Sequence, residues 1–296
     1  MRRIAVIGVC QAWGIGDALT FLSEDADVII LEAPAIQNRG ALHAASLLLE
    51  DRDLIITQGL PDEYGPLATE ALRTRFPNLV QVPVFTFTGF HPDCIYLVLE
   101  GKAYSSPLGP YNSAIVAAAF SLGMPIDRVP GLFNAFIFRK AGYFDEFAKA
   151  TEYARLVMSQ FDFDIEPDWP DWLAHAPFMH TINHPKAFAL ASIAKLAAVK
   201  AGLIPKSKPI PTLPYDTLST SAVWPVYPEL GRPIGVQGSY IFKQPENYKE
   251  EMGHGVMMSL ARFISGSYNF YGTYPREVFE LDAVVRMRSV LTECIR

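Results

Sequence analysis

The sequence is short of cysteine, of charge and of long apolar runs, and each shortage excludes something. Three widely spaced cysteines, Cys10, Cys94 and Cys294, make neither a disulfide framework nor a zinc pattern. Free thiols are expected, as in a reducing cytoplasm. Charged residues are 19% of the chain, against about 25% in an average globular domain. With 50% of residues hydrophobic, wholesale disorder is excluded and a large core is expected. The formal net charge is −6 and no long Lys/Arg run occurs, which argues against nucleic acid or an anionic membrane surface as the main partner. The best apolar stretch, Ala114 to Met124, is broken by Ser121 and Gly123 and falls short of the roughly 20 residues that cross a bilayer. Arg2 and Arg3 ahead of Ile4 to Cys10 superficially resemble a secretory leader. Gln11 and Asp17 interrupt that pattern and no cleavage site follows, so the segment is read as structural and the protein as cytoplasmic with no transmembrane segment. Gly8, Gly14 and Gly16 do not fit Gly-x-Gly-x-x-Gly, and no phosphate-loop motif occurs, so a nicotinamide or nucleoside-triphosphate enzyme is not expected.

Apolar β-branched runs are present in abundance. Ile4 to Val9, Val28 to Leu31, Leu54 to Ile56 and Leu79 to Val84 read as strands buried on both faces. Helical patterns over Ile15 to Phe21, Ala41 to Leu49 and Leu67 to Phe76 alternate with them, which implies an α/β fold with a parallel sheet covered by helices. From Asn112 the texture becomes mostly helical: Ala114 to Leu122, Phe144 to Met158, Phe188 to Ala201, Glu246 to Ser265 and Pro275 to Leu291. Six prolines between Ile204 and Pro228 exclude a regular helix there, and Tyr215, Trp224 and Tyr227 favour an arm packed on the body. The expected organisation is one compact domain over 1–296, with an α/β part at 1–110 and a mainly helical part at 111–296 that includes a Pro-rich arm at 204–228.

In an open parallel sheet, sites gather at the carboxyl ends of the strands. The first such turn carries Gly8-Val9-Cys10-Gln11. Helix-end amides there would lower the thiol pKa of Cys10 and hold an anion, while the bland alternative is a small buried hydrophobe. The third strand ends at Thr57-Gln58-Gly59, where Gln58 is either an amide donor to a ligand or an ordinary loop residue. A loop after the fourth strand, Phe87 to Asp93, contains His91. Further on, Asn183-His184-Pro185 offers an imidazole suited to proton transfer near neutral pH, held by the proline at a helix start, with Asn183 as an oxyanion or carbonyl donor. His180 and His184 are spaced as a helical metal pair, but Pro185 places both upstream of the helix and no third ligand lies close by, so no metal site is expected.

Together, Cys10-Gln11 after the first strand, Gln58 with Tyr64-Gly65-Pro66, Phe87-Thr88-Gly89-Phe90-His91-Pro92, and Asn183-His184-Pro185 resemble the WcbI family of capsular polysaccharide biosynthesis proteins. The resemblance runs to about Leu190, extends into the Trp224-Pro225-Val226-Tyr227-Pro228 region, and rests on the order and spacing of short motifs. Family members commonly carry Gly-Asn-Cys-Gln at the first turn, where this chain has Val9 in place of the Asn, so a donor beside the thiol is lost. The resemblance implies coenzyme A or acetyl-coenzyme A as donor substrate, a sugar or nucleotide-sugar acceptor, and O-acetyl transfer, with a homo-oligomer left open. Two routes fit: an acyl thioester on Cys10, or direct transfer with His184 as base. The second is preferred because it tolerates the missing Asn. Gln11, Gln58, His91 and Asn183 are the ligand or oxyanion candidates, and Arg39, Arg73, Lys102, Arg128, Arg139, Lys140 and Lys186 are the basic residues available to phosphates, with none preferred. The competing readings are an esterase of the Ser/Gly/Asn/His type and a non-enzymatic coenzyme-A-binding component of polysaccharide assembly.

Overall fold

The computed structural model describes residues 1–36, 38–246 and 256–295. In chain order the strands and helices are β1 (Arg2–Gly8), α1 (Gln11–Leu22), β2 (Ala26–Glu32), α2 (Arg39–Leu47), β3 (Leu54–Gln58), α3 (Thr69–Arg75), β4 (Leu79–Val82), β5 (Cys94–Leu99), β6 (Lys102–Tyr104), β7 (Tyr111–Ser113) and α4 (Ala114–Ser121). There follow α5 (Ala135–Lys140), α6 (Glu146–Gln160), α7 (Trp169–Ala174), β8 (Met179–Thr181), β9 (His184–Pro185), α8 (Ala187–Lys200), α9 (Pro228–Gly231), β10 (Ile241–Lys243), β11 (Met257–Ser259), α10 (Leu260–Tyr271) and α11 (Asp282–Ile295). The fold is α/β: an N-terminal four-stranded parallel sheet with flanking helices, followed by a mostly helical C-terminal half.

The residues sort into two compact units, both assembled from discontinuous segments. Unit 1 is Met1–Thr86, Tyr153–Phe178 and Asn183–Leu218; unit 2 is Phe87–Glu152, Met179–Ile182 and Ser219–Arg296. Unit 1 holds the parallel sheet, in the order β2-β1-β3-β4. Central β1 is buried from Ile4 to Gly8, as its β-branched run requires, whereas edge strand β2 is only half-buried along its length. Helix α1 packs on this sheet and against α8. A Cβ on Gly14 would lie 2.4 Å from Leu190 Cδ1, so the glycine that leaves the dinucleotide fingerprint incomplete serves helix packing. The Pro-rich arm is ordered up to Leu218 on this unit. Thr217 Oγ1 donates to Asp17 Oδ2 at 2.7 Å, and Asp216 Oδ2 accepts from the Ala187 amide at the start of α8 at 3.1 Å.

Unit 2 is built around α4, whose residues from Ala114 to Ala119 are all buried, and α10 and α11 pack on it. Beside it stands an antiparallel sheet, β6-β5-β7, which the periodicity of the sequence did not reveal. The closing helix expected from Glu246 begins only at Leu260: Glu246 is in a turn, 257–259 is strand, and the part of the expectation at 247–255 lies outside the described residues. Two changes of backbone explain the late start, since Met257–Ser259 pairs antiparallel with Ile241–Lys243 and Ser259 then caps α10 by accepting from the Arg262 amide. No described helix is long and apolar enough to cross a membrane.

Candidate functional site

The carboxyl edge of the unit 1 sheet is organised by two glutamines. Parallel register sets Gly8 beside Glu32 on one side, and Ile7 beside Thr57 on the other, so the end of β3 lies alongside the end of β1. Gly8 has no side chain, and the Gln58 amide occupies that space: a Cβ there would be 2.3 Å from Gln58 Oε1. This close approach lets Gln58 Oε1 accept from the Val9 amide at 3.1 Å. Gln58 Nε2 donates to Gln11 Oε1 at 3.2 Å and to the Pro83 carbonyl at 3.4 Å. Gln11, at the first position of α1, continues the chain. Its Nε2 donates to the carbonyls of Phe85 at 2.7 Å and Asn183 at 2.8 Å, and its Oε1 accepts from the Phe85 amide at 3.0 Å. Phe85 is fixed in turn by an edge-to-face contact with Trp172, 5.4 Å between centroids. Both glutamines are fully buried.

Within this network the Gln11 and Gln58 side chains are engaged by the protein itself. Both side-chain amides donate to protein acceptors, so they tie together the turn after β1, the end of β3, the segment after β4 and the residue before His184. A neutral amide is the fitting group for such a task, because it supplies donors and an acceptor without a charge to desolvate.

Cys10 occupies the cap position of α1 with helical backbone angles, and its side chain makes no capping bond. Burial pushes its thiol up to about 11, and the Glu32 carboxylate adds to the effect, while the amides of Gln11 and Cys10 pull weakly the other way. The expected lowering by helix-end amides is therefore overturned by desolvation and a nearby negative charge. Glu32 itself is anchored by Trp13, whose Nε1 donates to Glu32 Oε2 at 2.8 Å. All three cysteines are free.

His184 is 7% exposed and lies in the short strand β9. The helix start expected at Pro185 falls two residues later, at Ala187, because Pro185 continues the extended backbone. The Gln11–Asn183 hydrogen bond joins the residue after Cys10 to the residue before His184, so these two distant stretches of sequence converge on one edge of unit 1. Lys186, two residues beyond, is half-buried, and burial lowers its pKa against the opposing pull of Asp216.

His91 belongs to unit 2. It is buried in the turn that leads into β5, where its amide donates to the Thr88 carbonyl at 2.8 Å and its carbonyl accepts from the Cys94 amide at 2.9 Å. Two residues on, the structure reveals a group that the sequence reading passed over. Asp93 is completely buried and accepts from Ser113 Oγ at 2.5 Å, the Ile115 amide at 2.9 Å, Tyr227 Oη at 2.8 Å and Tyr143 Oη at 3.1 Å. Burial nevertheless raises its pKa to about 6. A lone Asp after Pro92 gave no pattern, since its partners come from three separate places in the chain. Among the described residues no three His, Cys, Asp or Glu side chains cluster as metal ligands.

A family model described as polysaccharide biosynthesis enzyme WcbI matches residues 3–206. No protein with a curated description matches. A solved structure described as WcbI, a novel polysaccharide biosynthesis enzyme, in its native form without a disulfide bond between coenzyme A and a cysteine, superposes with a TM-score of 0.70. Identity is 14%, and the alignment covers 100% of this chain and 99% of that one, which shows a shared fold.

Proposed function

The chain belongs to the WcbI family of polysaccharide biosynthesis enzymes, and from that membership we propose that it transfers an acetyl group from acetyl-coenzyme A to a sugar hydroxyl at the carboxyl edge of the unit 1 sheet. The observation that carries this reading is the Gln11–Asn183 hydrogen bond, which ties the Cys10 turn to the His184 segment. The fold match is described by reference to coenzyme A and a cysteine of that protein. We carry that pairing to Cys10, the cysteine at this sheet edge.

With its pKa near 11, the Cys10 thiol is ionised to only about one part in ten thousand at pH 7. This supports direct transfer over an acyl-enzyme. His184 takes the proton from the sugar hydroxyl as its oxygen attacks the thioester carbonyl. The tetrahedral intermediate collapses by breaking the carbon–sulfur bond, and the proton passes from His184 to the departing coenzyme A sulfur. Cys10 stays a neutral thiol that lines the site beside that sulfur. The buried glutamines hold the Cys10 turn and the Asn183–His184 segment in register, and Lys186 supplies a positive charge close to His184 for an anionic substrate.

Binding is the first test. Calorimetry with coenzyme A and with acetyl-coenzyme A should give saturable heats, and acetyl-coenzyme A with candidate sugars should release free thiol. Absence of binding by either compound overturns the reading, and thiol release at full rate without any sugar turns it into a hydrolase.

A further inference from the structure

Unit 2 contains a cavity of about 410 Å³, within the size range of small-molecule sites. Two cations reach it from different helices, Lys149 from α6 and Arg286 from α11. Both are exposed, and neither makes a hydrogen bond or an ion pair within the described residues. Elsewhere on this acidic chain Arg3, Arg52, Arg75 and Arg288 each hold a carboxylate. The cavity also has a carboxylate of its own. Glu146, the first residue of α6, lines it, and Glu146 Oε1 accepts from Thr88 Oγ1 at 2.6 Å. The apolar side chains of Ile95 and Met287 complete the wall.

These groups specify a ligand with three kinds of surface. Two cations lining one cavity suit a dianionic head, which a phosphate monoester supplies and which an Arg fork and a Lys ammonium both recognise. A carboxylate held by one oxygen has its second oxygen to accept from hydroxyl groups. Apolar walls suit the C–H face of a ring. We propose that this cavity binds a small phosphorylated sugar, with the phosphate between Lys149 and Arg286 and a ring hydroxyl on Glu146. The proposal concerns unit 2 alone and does not rest on the coenzyme A reading of unit 1.

Calorimetry on the full chain with glucose 1-phosphate, glucose 6-phosphate and ribose 5-phosphate tests it, with glucose and inorganic phosphate as comparators. At least one sugar phosphate should bind more tightly than both comparators. Lys149→Met with Arg286→Gln should weaken that binding by about tenfold or more, because two charge-assisted contacts are lost. Glu146→Gln should reduce the preference over inorganic phosphate. The two cations are exposed, so the double variant should keep the wild-type melting temperature; should it not, each single variant must weaken binding by itself. The proposal is overturned if none of the three sugar phosphates binds, if inorganic phosphate binds as tightly as they do, or if the charge variants bind with unchanged affinity.

Discussion

Unit 1 and unit 2 each bury a polar hub, and they use opposite chemistry to do it. In unit 1 the hub is the Gln11–Gln58 pair, neutral at every pH and bonded mostly to main-chain groups at the sheet edge. In unit 2 it is Asp93, a carboxyl surrounded by one amide and three hydroxyls, with its pKa raised to about 6. Four donors favour the carboxylate, yet desolvation of a completely buried charge outweighs them. The lesson is that a hub of amides fixes geometry independently of pH, whereas a hub of one carboxyl couples its surroundings to protons.

The sharpest way to break the comparison is to remove the neutral hub. Gln11→Ala leaves the Phe85 amide and the carbonyls of Phe85 and Asn183 without their Gln11 partner and the Gln58 amide with Pro83 alone, a loss of about 4 kcal/mol at the usual cost of stranding buried polar groups. Urea unfolding measures this, and a loss within about 1 kcal/mol would mean that the network is not a single structural unit.

Next in size is the pH dependence that belongs to unit 2. Asp93 binds its proton more tightly folded than unfolded, so the stability it contributes is fully present below about pH 4 and is lost as pH rises through about 6. The difference from the ordinary value of 3.8 corresponds to about 3 kcal/mol. Asp93→Asn keeps the shape without the titration and should flatten stability between pH 4.5 and 7.5. An equally steep decline in wild type and variant would remove Asp93 as its source.

A smaller effect concerns the charge next to the neutral hub. Glu32→Gln removes the second cause of the raised Cys10 pKa while leaving burial, the first, in place. Alkylation of Cys10 at pH 8 should accelerate by about threefold, following the larger thiolate fraction. Trp13→Phe, which frees Glu32 from its indole partner, should change the same rate less. An unchanged rate in Glu32→Gln would show that the carboxylate does not act on the thiol.

The unit 1 sheet was readable because its physics is local. β1 to β4 are continuous apolar runs separated by helical patterns, and this alternation leads to a parallel sheet whose strand ends share an edge. The position of Gln58 and Cys10 at that edge followed directly. Their roles did not: the pKa of Cys10 depends on how deeply its turn is buried and on Glu32, which arrives from another strand. β5 to β7 escaped notice for a different reason. Tyr96 and Val98 are exposed on β5 while Leu97 between them is buried, so an apolar outer face erased the alternation that marks a half-buried strand. Asp93 was hidden because its environment is assembled from Ser113, Ile115, Tyr143 and Tyr227, which no short-range pattern connects.

Turnover of acetyl-coenzyme A with a productive sugar acceptor, compared among wild type, Cys10→Ala and His184→Ala, separates direct transfer from an acyl-enzyme. With His184 as the base in direct transfer, Cys10→Ala retains activity within about tenfold, while His184→Ala loses about 10²- to 10⁴-fold, the range for removal of a general base. Loss of turnover in Cys10→Ala with an acetylated Cys10 trapped in the wild type, or full activity in His184→Ala, would contradict that route.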